Sequence, residues 1–148
     1  MSYRRILCPI DFDENSARAL EEAAGVAKLA RASLCLMHVV RVNPMGREGL
    51  LVGQLYESEI QSAREKLAAL AREKLDGIDH QIVVEVGEPA MLILAIEDKI
   101  GADLVVMATH GRRGIARLVL GSVAERVLRE SRAPVLTVRP PADAARSA

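Results

Sequence analysis

The chain has 148 residues, half of them apolar, with twenty Lys and Arg balancing twenty Asp and Glu. That is the size and composition of one domain with a substantial core. Zero net charge, one Phe, two Tyr and no Trp leave neither a basic footprint nor a stacking platform, which argues against nucleic acid or a membrane surface as the main partner.

The first strand is expected over Arg4 to Ile10, stopping at Asp11. No apolar run approaches the roughly 20 residues of a bilayer span, and Met1 to Arg5 leads straight into this strand instead of a signal-peptide core, so a cytoplasmic protein is expected. A helix follows from about Asn15 to Ala30, with Ala17, Leu20, Ala24, Ala27 and Ala30 at helical spacing, and Asp13 or Asn15 placed to cap it. The second strand, Ser33 to Val40, is continuously apolar, as expected where both faces of a parallel sheet are covered. Cys8 and Cys35 lie inside apolar runs and read as small buried hydrophobes without chemistry. His38 reads as a satisfied core or edge histidine and His80 as a surface loop residue.

Arg41 to Gln54 is irregular, with Pro44, Gly46, Gly49, Gly53 and the exposed-looking Leu50-Leu51-Val52, and reads as a mobile connection, the alternative being a lid over a ligand. The second helix is expected from about Leu55 to Leu75, with Ile60, Ala63, Leu67 and Leu70 inward and Gly77 ending it. The third strand spans Gln81 to Val86. Pro89 then opens a helix to about Lys99, closed by Gly101. Asp103 to Met107 is the fourth strand, Val123 to Glu130 the fourth helix and Val135 to Val138 the fifth strand. Residues 140–148 read as a disordered tail, which leaves residues 1–139 as the domain.

Five strands alternating with four helices call for an α/β fold, a Rossmann-like doubly wound parallel sheet of order 3-2-1-4-5 with helices on both faces. Strands one and four then lie side by side where the winding reverses, the place where such sheets bind ligands. Asp11 comes opposite the loop that begins at Ala108, although about a hundred residues separate them. That loop, Ala108-Thr109-His110-Gly111-Arg112-Arg113-Gly114, and the turn Gly121-Ser122 lead from a strand into a helix, an arrangement that offers backbone N–H groups to an anion. Ser122 followed by Glu125 reads as a capping box that starts the helix at Ser122.

The residues carrying a family likeness are now in view. Ile6-Leu7-Cys8-Pro9-Ile10-Asp11, the Met37-His38-Val39 that ends strand two, Met107-Ala108-Thr109-His110-Gly111, Gly121-Ser122 nine residues further on, and Ser131 to Val138 together resemble a universal stress protein of the UspA superfamily, over roughly residues 3 to 139. The ATP-binding branch has Gly, two residues, Gly, nine residues, then Gly and Ser or Thr. Gly111 and Gly121-Ser122 match, and Ala108 stands where the first glycine belongs. An alanine is serious there only if the backbone needs positive φ.

The resemblance implies an adenine nucleotide alpha hydrolase-like fold binding ATP or a related adenine nucleotide as a regulatory module of the stress response. It places adenine and ribose against Pro9, Ile10, Asp11, Val39 and Met107, with Asp11 accepting from the sugar or joining the shell of a magnesium ion on the phosphates. The phosphates would lie over Ala108, Gly111, Gly121, Ser122 and Val123. His110 shapes the loop or contacts phosphate, and Gly114 loosens it. Arg112 and Arg113 read equally as a phosphate clamp or a solvated loop tip. The alternatives are a dimeric interaction protein that binds no ATP, for which Ala108 is the support, and a weak ATP hydrolase. Against the latter stand the missing P-loop lysine and the absence of an evident acid–base pair. Val135 to Val138 forms an apolar edge strand, which a second copy pairing about a two-fold axis would cover, and the resemblance implies the same homodimer.

Overall fold

The structure, a computed structural model, describes residues 2–42, 50–109 and 120–141. Its elements run β1 (Arg5–Pro9), α1 (Glu14–Ala30), β2 (Ser33–Arg41), α2 (Leu50–Lys74), β3 (His80–Gly87), α3 (Pro89–Ile100), β4 (Leu104–Ala108), α4 (Ser122–Glu130) and β5 (Val135–Val138). The five strands form one sheet in the order β3-β2-β1-β4-β5, with every neighbouring pair parallel. This is the doubly wound order that the alternation of strands and helices predicts. Among the described residues no helix is long and apolar enough to cross a membrane.

The two-residue period of the strands divides the interior into two cores. Ile6, Cys8, Leu34, Leu36 and Val106 face one way and pack with Ala19, Leu20 and Ala23 of α1 and Ala63 and Leu67 of α2. Leu7, Cys35, Met37, Val105 and Met107 face the other way, against Ala90, Ile93 and Ile96 of α3 and Ala124 and Val127 of α4. Asp103 fixes β1 against β4 at their amino ends. Its carboxylate accepts the amides of Arg4 at 2.8 Å and Arg5 at 3.0 Å, and its own N–H donates to the Arg5 carbonyl at 2.9 Å.

Several element ends differ from expectation. α2 starts at Leu50, so residues 50–54 are helical and not part of an irregular connection. The single Gly53 costs about 1 kcal/mol in a helix interior, too little to end a 25-residue helix. Of the expected irregular connection, residues 43–49 lie outside the described residues, as do residues 142–148 of the expected tail. His80 opens β3 and belongs to no loop. The buried stripe of α1 runs through Ser16, Ala19, Leu20, Ala23, Ala24 and Ala27, whereas Ala17 and Ala30 are only half-buried at its flanks. Asp13 caps α1 by accepting the Ser16 amide at 2.8 Å, Pro89 opens α3 and Gly101 closes it in the left-handed region at φ 63°.

Glu97 is a feature that the sequence reading missed. It is buried in α3, and its carboxylate accepts the Ser131 hydroxyl at 2.8 Å and the amides of Arg132 and Ala133 at 2.8 and 2.9 Å. The turn between α4 and β5 is therefore held to α3 by one carboxylate.

Candidate functional site

The carboxyl ends of β1 and β4 meet where the winding reverses. Pro9 ends β1 in register with Met37, and Met107 pairs with Thr137 near the end of β4. Val39 and Met107 belong to the face covered by α3 and α4, and Pro9 shares the parity of Leu7, which places it there too. The structure therefore gathers Pro9, Val39 and Met107 along one side of the sheet edge. Ile10 is not among them. Its side chain is buried in the opposite core, its N–H donates to the Met37 carbonyl at 2.7 Å, and its carbonyl receives His38 Nδ1 at 2.6 Å.

Ala108 also turns its side chain away from that side of the edge. It ends β4 in register with Val138 and packs against the core of α1 and α2. It is absent from the described non-glycine residues with positive φ, so the missing glycine introduces no backbone strain.

Asp11, half-buried, follows the end of β1, and its Oδ1 accepts the Asp13 amide at 3.2 Å. Burial pushes the Asp13 carboxyl above its usual range, the neighbouring Asp11 adds to this, and the Ser16 amide opposes it. Among the described residues no group of three or more His, Cys, Asp or Glu side chains is gathered to hold a metal ion.

Across the crevice, Thr109 fixes the start of α4. It is buried, its N–H donates to the Val138 carbonyl at 3.1 Å, and its carbonyl accepts the Gly121 amide at 2.7 Å. Thr109 thus joins the ends of β4 and β5 to the first turn of α4, a role the sequence reading did not give it.

The capping box does not form. Gly121 is the N-cap, at φ −59° and ψ 152°, and among the described residues no side chain caps the helix. The Gly121 carbonyl takes the first helical bond, from Glu125 N–H at 2.8 Å, which makes Ser122 the first helical residue. Glu125 instead pairs with Arg129 one turn along. The donor set changes accordingly. The Gly121 amide is engaged by Thr109, while those of Ser122, Val123 and Ala124 precede the first helical bond and have no carbonyl within the helix to reach. Three N–H groups at the positive end of the helix dipole are suited to a phosphate. His110, Gly111, Arg112, Arg113 and Gly114 lie outside the described residues.

The universal stress protein family model matches residues 2–139. The chain belongs to this family. Among curated universal stress proteins, MJ0531 of Methanocaldococcus jannaschii is 36% identical over 144 residues, covering 94% of this chain and 84% of the relative. The solved structure of MJ0577, from the same organism, superposes with a TM-score of 0.87 at 28% identity and covers 95% of this chain and 99% of its own. A universal stress protein solved in complex with cAMP superposes at a TM-score of 0.65 and 26% identity, covering 93% and 98%.

Outside the crevice, a hollow of about 660 Å³ opens at the amino ends of the strands, lined by Arg4, Lys28, Arg31, Gly77 and Asp79 among others. The two cysteines lie in opposite cores. Burial pushes the Cys8 thiol well up and that of Cys35 up to about 11, so both stay protonated near neutral pH.

Proposed function

We propose that this universal stress protein binds an adenine nucleotide, ATP or a relative such as AMP or a cyclic nucleotide, in the crevice between the ends of β1 and β4, and acts as a nucleotide-responsive regulatory module of the stress response. The observation that supports the reading most is that the sheet order brings Asp11, after one strand end, to the same edge as the first-turn amides of Ser122, Val123 and Ala124, which have no hydrogen-bond partner among the described residues. Pro9, Val39 and Met107 offer an apolar bed for adenine and ribose. Asp11 accepts from the sugar hydroxyls or completes the shell of a magnesium ion that arrives with the phosphates. Gly121, without a Cβ, lets the phosphates approach the helix end, and the amides hold them. The relative solved with cAMP supports an adenine nucleotide as the ligand class.

The test is a melting curve with and without nucleotide and magnesium. ATP at a hundred times its dissociation constant adds about 2.7 kcal/mol, which raises Tm by roughly 5 to 10 °C in a domain of this size. No shift with ATP, AMP or cAMP would remove the reading and leave a family member of the interaction type.

The reading includes a cytoplasmic homodimer. Among the described residues β5 is the edge strand of the sheet, with β4 as its one neighbour, and Leu136 on it is 40% exposed. A second copy pairing along Val135, Leu136, Thr137 and Val138 covers this edge. Sedimentation at micromolar concentration is expected to give twice the chain mass, and a monomer there would discard the pairing.

A further inference from the structure

The residue before Asp11 and the residue after it are both held by one side chain of the neighbouring strand. His38 Nδ1 lies 2.6 Å from the Ile10 carbonyl. A carbonyl only accepts, so Nδ1 carries the proton of that bond. The same imidazole stacks against Phe12, with ring centroids 4.5 Å apart and planes tilted by 40°.

Phe12 needs such support. Its φ is 68°, in the left-handed region, which costs a non-glycine residue on the order of 1–2 kcal/mol. The ring packs against the core of α1 and α2, and Lys66 Nζ of α2 lies 5.2 Å from its centroid. The left-handed turn at Phe12 brings the Asp13 amide back onto Asp11 Oδ1 at 3.2 Å, so the conformation of Asp11 is set by the turn that follows it.

Strand parity decides what His38 can do. Leu34, Leu36 and Val40 of β2 face the core of α1 and α2, and His38 falls in the same alternation, whereas Val39 lies on the opposite face, with α3 and α4. His38 therefore works from behind the sheet. We propose that His38, with Phe12, is a positioning residue that sets Asp11 for the ligand. This rests on the nucleotide reading above. It makes β2 contribute twice, with Val39 as part of the bed and His38 as the brace of the opposing acid.

The test combines affinity with a measurement on the ligand-free protein. His38→Leu removes the donor, whereas His38→Asn keeps an N–H close to the position of Nδ1. In ligand-free protein, hydrogen exchange of the Asp13 amide is expected to quicken in His38→Leu and to slow again in His38→Asn. Unchanged exchange in folded His38→Leu overturns the brace whether or not any nucleotide binds.

With ATP, His38→Leu is expected to weaken binding by roughly tenfold, the upper range for one lost hydrogen bond, and His38→Asn to recover most of it. In an Asp11→Asn background the His38→Leu change is expected to add little, because the two residues act in one chain of contacts. Additive losses, or His38→Asn as impaired as His38→Leu, would mean that His38 only supports the fold. Wild type that binds no nucleotide defeats the proposed function, while the exchange measurement still decides the brace.

Discussion

In the proposed nucleotide site Ser122 would act through its backbone. Its N–H belongs to the first turn of α4, ahead of the first helical bond, and among the described residues no side chain caps that turn. Loss of the hydroxyl in Ser122→Ala should therefore change unfolding free energy by less than about 0.5 kcal/mol, against the roughly 1 kcal/mol that removal of a true N-cap costs. Urea denaturation measures the difference, and a loss of 1 kcal/mol or more would restore the capping role. The sequence Ser-x-x-Glu was compatible with either register. What decided between them was Thr109, whose carbonyl holds the Gly121 amide and so fixes Gly121 as the residue before the helix. Phe12 was equally hidden from sequence, since nothing in its identity announces a positive φ. Ile10 and Ala108 were assigned to the site by resemblance, and their side chains pack against the core behind the sheet, which leaves only their backbone for the edge.

The elements themselves were largely legible, because apolar period, proline and glycine act locally. Pro89 opening α3, Gly101 closing it and Asp13 capping α1 all follow from short-range chemistry. Contacts between distant elements were not. Glu97 lies on a helix where periodicity predicts only burial or exposure, and its three donors sit 34 to 36 residues away. Its carboxylate anchors the turn that sends the chain into β5. Glu97→Ala would leave the Arg132 and Ala133 amides without this acceptor, and a loss of about 2 to 3 kcal/mol is expected, as for hydrogen bonds to a charged group. Glu97→Gln, which keeps one acceptor, should lose less. Equal stability of Glu97→Ala and wild type in urea would show that the clamp carries no weight.

The sheet order brings Asp11 and the start of α4 to one edge. That convergence was readable from the alternation of strands and helices, because a parallel sheet wound in both directions leaves a crevice only where the order reverses. The choice of donors was not readable, since it depends on which amide Thr109 occupies. Ser122→Pro probes those donors directly. Proline is favoured at the first helical position, and Gly121, at φ −59° and ψ 152°, already has the extended backbone required before a proline. The substitution removes one amide while leaving the helix intact, and Ser122→Ala controls for the lost hydroxyl. In a calorimetric titration with ATP, Ser122→Pro should bind at least about tenfold more weakly than Ser122→Ala, as expected for a lost hydrogen bond to a charged group. Equal ATP affinity of the two folded variants would contradict a phosphate held on the amides of α4.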